Sequence, residues 1–291
     1  MQNLEQIRML VIAADLGSFS ACARHMGKVQ SAVSHGISNL EIDLNVELFD
    51  RSTRKPVLTP AGERLYRSAK ALLTQSEEFE LIAKAINRQE EGTLRVVFDD
   101  GLVTPTLLEV LTEFSEKFKH THLDIVFLPS PDIISQLQQD QFALGLMTSQ
   151  VESFKEVEFS YIGQLEMVPV CHPSHELAQR SGITETDLYP HRQITVRGHR
   201  KIEPALMLSM APNVWWSSSN AAAQALIEKN IGWGYLPKHM IERQLSAKTL
   251  INIETVFDKR TWQVPVDLVW PKGTTVGPAL HWLKNAIQDA F

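Results

Sequence analysis

The sequence is poor in the features that mark an enzyme, a membrane protein or a disulfide scaffold. Only two cysteines, Cys22 and Cys171, occur in 291 residues. So few and so far apart, they build no disulfide framework, and reduced thiols are expected. No apolar run approaches the roughly 20 residues that cross a bilayer. The start, MQNLEQIRML, carries a glutamate where a secretory signal has a basic stretch. A cytoplasmic protein with no membrane partner is therefore expected. There is no G-x-S-x-G, no P-loop, no H-E-x-x-H and no G-x-G-x-x-G after a strand. Nothing here supports an enzyme, and no cofactor is expected. An excess of positive charge is also missing. With a net charge of −6, any grip on DNA phosphate must come from Lys and Arg gathered on one surface.

What is present is ordinary for folded protein, with 44% hydrophobic and 21% charged residues. The length suits a small domain followed by one or two larger ones. Basic and acidic residues are equally numerous in the first sixty, but Arg51, Arg54 and Lys55 cluster in DRSTRKPV. That cluster is a candidate phosphate clamp.

Helical spacing of Leu4, Ile7, Leu10 and Val11 predicts a first helix up to Asp15, broken by Gly17-Ser18. A second runs from Phe19-Ser20 through ACARHM, with Ser18 or Ser20 as cap, and stops at Gly27. A third is predicted over 30–44, where Val33, Ile37, Leu40 and Leu44 form one buried stripe. Gln30, Ser31, Ser34, His35 and Ser38 project from its other face as hydrogen-bonding groups suited to base edges in a major groove. The periodicity alone fits an ordinary amphipathic helix with a solvated face equally well.

The longer string separates the two readings. Phe19-Ser20, Ala21 and Ala23, Gln30-Ser31-Ala32-Val33-Ser34, Leu40-Glu41, Leu48-Phe49, Arg51 and Leu58-Thr59-Pro60-Ala61-Gly62 stand at fixed spacing. This pattern resembles the winged helix-turn-helix of LysR-type transcriptional regulators. The resemblance implies that Gln30, Ser31, Ser34, His35 and Ser38 face DNA, with Arg51, Arg54 and Lys55 in the wing on backbone or minor groove. It departs from the family at Val29, where a serine usually caps the recognition helix, and at His35 and Ser38, which replace commonly basic residues. Weaker non-specific affinity is expected, with a contribution from His35 that varies with pH.

From Ala61 to Gln89 the chain is rich in Ala, Leu, Glu, Arg and Lys, with no Gly or Pro after Gly62, and Gly92 ends it. One long helix is predicted. Leu65, Ala69, Leu72, Ser76, Phe79, Ala83 and Ile86 alternate by four and three, as a coiled-coil seam does. The open alternative is a helix packed on its own domain. The resemblance implies that it pairs two chains through Leu65, Ala69, Leu72, Phe79, Ala83 and Ile86, setting two recognition helices on a pseudo-palindromic operator.

Beyond Gly92 the texture becomes α/β. TLRVVF, HLDIVFLP and FALGLMT read as strands around helices over 102–118 and 132–141. This is a βαβαβ unit whose ligands gather at the carboxyl ends of the strands. EFSYIGQLEMVPVCH, RQITVRG, PNVWWSSS, GWGYLP and VPVDLVWP read as further strands, the GWGYLP strand leading to a turn. Helices are predicted over 220–229 and 279–290. LIEKNIGWGYLP and CHPSHEL add softer likenesses, so the resemblance covers essentially the whole chain. It implies an α/β fold with an N-terminal all-α winged helix-turn-helix, a long linker helix and a two-lobed effector module similar to periplasmic binding proteins. The expected boundaries are 1–59 for the winged domain, 60–91 for the linker, 92–163 with 264–291 for lobe I, and 164–263 for lobe II.

Candidate effector residues are Asp99 and Asp100 after the first strand, Arg197 as counter-group from the second lobe, and Thr104, Ser130, Thr148, Trp215, Ser218 and Ser219 on cleft-facing turns. Two acids favour a cationic or hydroxyl-rich effector, while the helix after Ser219-Asn220 offers free N–H groups to an anion. The plainer alternative is that the carboxylates and hydroxyls cap helices and brace turns. Cys171, His172 and His175 have the residue types of a metal cluster, but adjacent strand positions face opposite sides, and no metal is expected. The expected partners are double-stranded promoter DNA, a small-molecule effector, RNA polymerase and further copies of the chain in a homodimer or homotetramer. Two other readings stay open: an oxidant-responsive factor sensing through Cys171 or a methionine, and an effector-independent architectural DNA-binding protein.

Overall fold

A computed structural model describes residues 3–51, 56–139, 142–150, 155–199, 201–204, 209–258 and 260–291. It divides into two compact units, Met1–Arg88 and Gln89–Phe291.

In the first unit, α1 (Leu4–Leu16), α2 (Phe19–His25) and α3 (Gln30–Leu44) are followed by β1 (Phe49–Asp50), β2 (Val57–Leu58) and α4 (Pro60–Asn87). Ser18 caps α2 by accepting from the Ala21 N–H, and Gly17 ends α1 in the left-handed conformation. Val29 gives α3 no side-chain cap, a loss of about 1 kcal/mol relative to serine. Val33, Ile37 and Leu40 on the same helix are almost completely buried, and each contributes about 2 kcal/mol. Burial therefore outweighs the missing cap. β1 and β2 pair antiparallel, Phe49 opposite Leu58, as the wing. Arg54 and Lys55 lie outside the described residues.

The long helix α4 corrects the expected seam. Ala69 and Leu73 are buried in the core of the amino-terminal unit, with Leu65 and Tyr66 packed against it. The Tyr66 hydroxyl donates to Asp15. Leu65 and Ala69 therefore serve their own domain. The helical repeat of 3.6 residues carries this inner face on to Leu73 rather than Leu72. Leu72, Phe79 and Ile86 remain exposed, at 45%, 74% and 66%, and Ala83 is half-buried.

The second unit contains β3 (Thr93–Phe98), α5 (Pro105–Lys117), β4 (His122–Phe127), α6 (Ser130–Leu137), β5 (Leu144–Thr148), β6 (Val157–Cys171), α7 (Glu185–Leu188) and β7 (Gln193–Val196). β8 (Val214–Ser217), α8 (Asn220–Glu228), β9 (Trp233–Pro237), α9 (Lys238–Ser246), β10 (Ile251–Asn252), β11 (Trp262–Pro271) and α10 (Pro278–Ala290) complete it. One sheet runs β4-β3-β5-β11-β6-β9-β7-β8, with β10 alongside β6. β6 pairs with β11 from Val157 to Met167 and with β9 from Met167 to Cys171. β11 also pairs with β5. These two long antiparallel strands join two otherwise parallel α/β lobes.

Several expected elements differ: the helix expected over 132–141 spans Ser130–Leu137, and α7 and β10 were not expected. The helix expected from Leu102 begins at Pro105, after a separate 3-10 turn over Asp100–Leu102. Asp99 and Thr104 each cap their own start, so the chain caps twice in succession. After β9, α9 stands where only a turn was expected.

Candidate functional site

The first site is the exposed side of α3. Gln30, Ser31 and His35 are exposed and Ser34 is half-buried, opposite the buried stripe. Ser38 lies farther along this side and is engaged by the wing. Arg51 Nη2 donates to Ser38 Oγ at 2.8 Å and to Glu41 Oε2 at 2.7 Å. Glu41 Oε1 in turn accepts from the backbone N–H groups of Leu48 and Phe49, at 2.9 and 3.2 Å. One carboxylate thus fixes the strand leading into the wing and the angle of Arg51, whose side chain remains 48% exposed. The Leu-Glu, Leu-Phe and Arg of the sequence pattern are parts of one hydrogen-bonded unit.

The second site lies between the lobes. Asp99 and Asp100 emerge at the carboxyl end of β3, and both reach α8 in the opposite lobe. Asp99 is buried. Its Oδ2 accepts from the Ser130 N–H at 2.8 Å and the Ser130 hydroxyl at 2.5 Å, and its Oδ1 from the Gly101 N–H at 2.9 Å and Asn220 Nδ2 at 3.1 Å. Ser130 Oγ also accepts from the Thr148 N–H. Burial pushes the Asp99 carboxyl above the ordinary range, against the pull of these donors.

Asp100 lies across the first turn of α8. Ser219 Oγ, the Asn220 N–H, Asn220 Nδ2 and the Ala221 N–H all donate to its carboxylate, at 2.7, 3.0, 3.0 and 3.1 Å. Burial alone pushes Asp100 up. The donors of Asn220, Ser219 and Ala221 outweigh it and hold the group below the ordinary carboxylate range. The close approach requires Gly101, since a Cβ there would lie 2.6 Å from Asn220 Nδ2. A second tie joins the lobes where Asp132 Oδ2 meets the His199 N–H and Nδ1, each at 2.8 Å.

Between these ties lies a cavity of about 40 Å³, walled by Leu165, Met167, Val196, Pro204, Tyr235 and Val264 and by the polar Asp99, Thr148, Thr195 and Asn220. Sites for organic ligands start at about 300 Å³, so in this conformation the cleft is shut. Thr148 Oγ1 is buried with no hydrogen-bond partner among the described residues. None of the described lining residues is basic.

The acid tie has a defined pH dependence. A carboxylate held below its ordinary range contributes stability that persists at neutral pH and is lost as pH falls through its folded value. Asp99, shifted the other way, is increasingly favoured as acid neutralises it. Hydrogen exchange at the Asn220 and Ala221 amides, corrected for intrinsic rates, should therefore stay slow at neutral and mildly acid pH and accelerate only under strong acid.

Several expected cleft residues lie elsewhere. Thr104 caps α5, its hydroxyl accepting from the Leu107 N–H. Arg197 stacks on Trp216, its guanidinium carbon 4.0 Å from the ring centroid, and Arg192 covers Trp215 at 4.3 Å. Trp215 and Trp216 sit on the outer strand β8, so neither Arg197 nor Trp215 lines the cavity. Ser218 is exposed, and Ser219 caps α8 while donating to Asp100. The N–H groups expected to be free for an anion are occupied by Asp100. Sequence reasoning missed Asn220, Tyr235, Asp132 and His199. Asn220 was legible only as a helix start and Tyr235 only as part of a strand. The Asp132–His199 pair joins positions 67 residues apart, which no local pattern signals.

Cys171 is fully buried, and burial pushes its thiol up to about 12. His172 Nδ1 accepts from the Ser174 N–H and His175 Nδ1 from the Leu177 N–H. Among the described residues no group of three or more His, Cys, Asp or Glu is placed to hold a metal. No single helix among them is long and apolar enough to cross a membrane.

An exposed polar recognition helix with an anchored wing, joined in sequence to a two-lobed α/β module with an interlobe cleft, defines a transcriptional regulator carrying a substrate-binding module. Residues 4–63 match the bacterial regulatory helix-turn-helix proteins of the lysR family, and residues 87–291 match the LysR substrate binding domain. The chain belongs to the LysR-type transcriptional regulators. The HTH-type transcriptional regulator AceR of Acinetobacter baumannii is 30% identical over 289 residues, spanning 99% of this chain and 97% of that protein. Two solved structures share the fold. A mutant OxyR of Corynebacterium glutamicum has a TM-score of 0.55 at 22% identity, covering 100% of this chain and 93% of that one. CrgA of Neisseria meningitidis has a TM-score of 0.53 at 18% identity, covering 100% and 99%.

Proposed function

We propose that this protein acts in the cytoplasm on double-stranded promoter DNA, as a dimer or tetramer, under the control of a small molecule taken up between its lobes. The observation that carries the DNA-reading part is the segregation on α3. Val33, Ile37 and Leu40 are buried while Gln30, Ser31 and His35 stand exposed beside an anchored Arg51. Gln30, Ser31, Ser34 and His35 contact bases or nearby phosphates, and Arg51 contacts the backbone from a position set by Glu41 and Ser38. Alanine at Gln30, Ser34 and Arg51 together is expected to weaken operator binding by about 3 kcal/mol or more, on the order of a hundredfold. Titration of a labelled operator at fixed salt measures this, and unchanged affinity would remove the assignment.

The effector module divides into lobe I, 92–163 with 264–291, and lobe II, 164–263, hinged on β6 and β11. The cleft walls hold an acid and apolar surface with no described base, which supports a cationic or hydroxyl-rich effector over a simple carboxylate. The effector acts by binding open and closed arrangements unequally, and the shift passes through the paired linker helices to polymerase access at the promoter.

The oxidant-responsive reading through Cys171 is disfavoured on physical grounds, because peroxide attacks exposed thiolates and this thiol is buried and shifted upward. Peroxide at levels that oxidise exposed thiolates should leave operator binding and the mass of the Cys171 peptide unchanged. Formation of a Cys171 sulfenic acid with altered DNA binding would restore that reading.

A further inference from the structure

The first turn of α8 is built as a carboxylate receptor, and the carboxylate in it belongs to the chain itself. The Ser219 hydroxyl, the Asn220 side-chain amide and the N–H groups of Asn220 and Ala221 converge on Asp100 from the opposite lobe within 3.1 Å. The helix is nine residues long, so its dipole adds to these donors. Asn220 is itself buried and braced against Asp99, which fixes the receptor's geometry before anything binds.

We propose that Asp100 is an intramolecular ligand, which holds the two lobes together and keeps the receptor at the start of α8 closed to external carboxylates. This deepens the reading of the cleft as the effector site and rests on it. A free carboxylate must displace a group whose local concentration is set by a tether, and an intramolecular ligand competes as though present at millimolar concentration or above. Any effector that parts the lobes must offset the loss of the Asp100 contacts. One that lacks a carboxylate does so through the apolar walls, without competing for the donors of α8, and Asp100 passes to water as the lobes part. A single aspartate thus sets ligand charge and lobe closure together. The Asp132–His199 tie is independent of it and still links the lobes when Asp100 is altered.

The test uses the full-length protein, with sodium acetate as probe against sodium chloride at equal ionic strength. The wild-type protein should show no saturable shift in melting temperature with acetate. Asp100→Ala leaves the receptor open, so it should melt at lower temperature and regain part of the loss saturably with acetate. Adding Ser219→Ala and Asn220→Ala should abolish that rescue. Asp100→Asn keeps the shape without the charge, so acetate should not rescue it, while hydrogen exchange at the Asn220 and Ala221 amides should speed at least tenfold over wild type. Equal acetate responses in wild type and Asp100→Ala, or no response in Asp100→Ala, would overturn the proposal. If Asp100→Ala does not fold, unchanged amide exchange in Asp100→Asn overturns it and faster exchange supports it. Operator binding by the same variants is measured separately. If it persists while the acetate response fails, the latch is wrong and the regulator reading stands.

Discussion

Gly62→Ala is expected to unfold the amino-terminal unit under conditions where the wild-type chain is folded. A Cβ at position 62 would lie 2.1 Å from the Leu48 carbonyl oxygen, with Leu48 C and Cα at 3.0 and 3.2 Å. Those atoms are backbone and cannot swing aside as a long side chain would. The neighbourhood is held rigid from both directions. The Leu48 N–H donates to Glu41, and the Leu48 carbonyl accepts from the Thr59 N–H. The Gly62 N–H donates to Thr59 Oγ1 at 2.9 Å, capping α4. Overpacking a site that cannot relax costs about 3 kcal/mol or more, a large part of the stability of a small domain. Denaturant titration should show loss of the amino-terminal transition with little change at the transition of residues 89–291. This contact gives the Leu-Thr-Pro-Ala-Gly string its physical meaning: threonine caps, proline starts the helix and glycine clears the Leu48 backbone just before β1.

The second large effect is expected from charge on the outer face of α4. Leu72, Phe79 and Ile86 repeat every seven residues and are exposed, and Phe79 stands at the middle of the row. Phe79→Glu places like charges on both helices of any pair formed through this face. It should convert the protein to monomers in sedimentation and, by removing the second half-site contact, reduce operator affinity on the order of a hundredfold. Ala69→Glu separates the two roles of the helix. Buried in its own domain, it should destabilise the amino-terminal unit instead of dissociating folded dimers.

The fold was legible wherever local physics decides it. The bounds expected for α3 agree with the structure because its apolar stripe begins after Gly27 and ends at Leu44. The β6 and β11 strands were visible as long β-rich runs. Errors arose where a local signal had two outcomes. Asp99 and Thr104 are both capping residues, so the helix start moved from Leu102 to Pro105. In KHMIERQLS the polar residues outnumber the apolar ones, and Ile241 alone is fully buried, so α9 escaped notice.

The site was less legible, because its contacts are distant in sequence. Asp99 and Asp100 were identifiable as a pair of acids after a strand, but the partners that tie them to the opposite lobe lie about 120 residues away. The reading of α8 as an anion site was chemically sound, yet the anion is Asp100. Arg197 was expected to face the cleft as a counter-charge. Trp216 offers its guanidinium an aromatic face instead, an attraction worth about 0.5–1 kcal/mol at an exposed site. Residue type alone does not distinguish these outcomes.

The most direct test of the central claim is genome-wide binding of this protein in its native cell, compared with the variant carrying alanine at Gln30, Ser34 and Arg51. The account predicts a few sharp promoter-upstream sites for the wild-type protein, each with two related half-sites, and their loss in the variant. Diffuse binding that is the same for both proteins, with no recurring half-site, would contradict it.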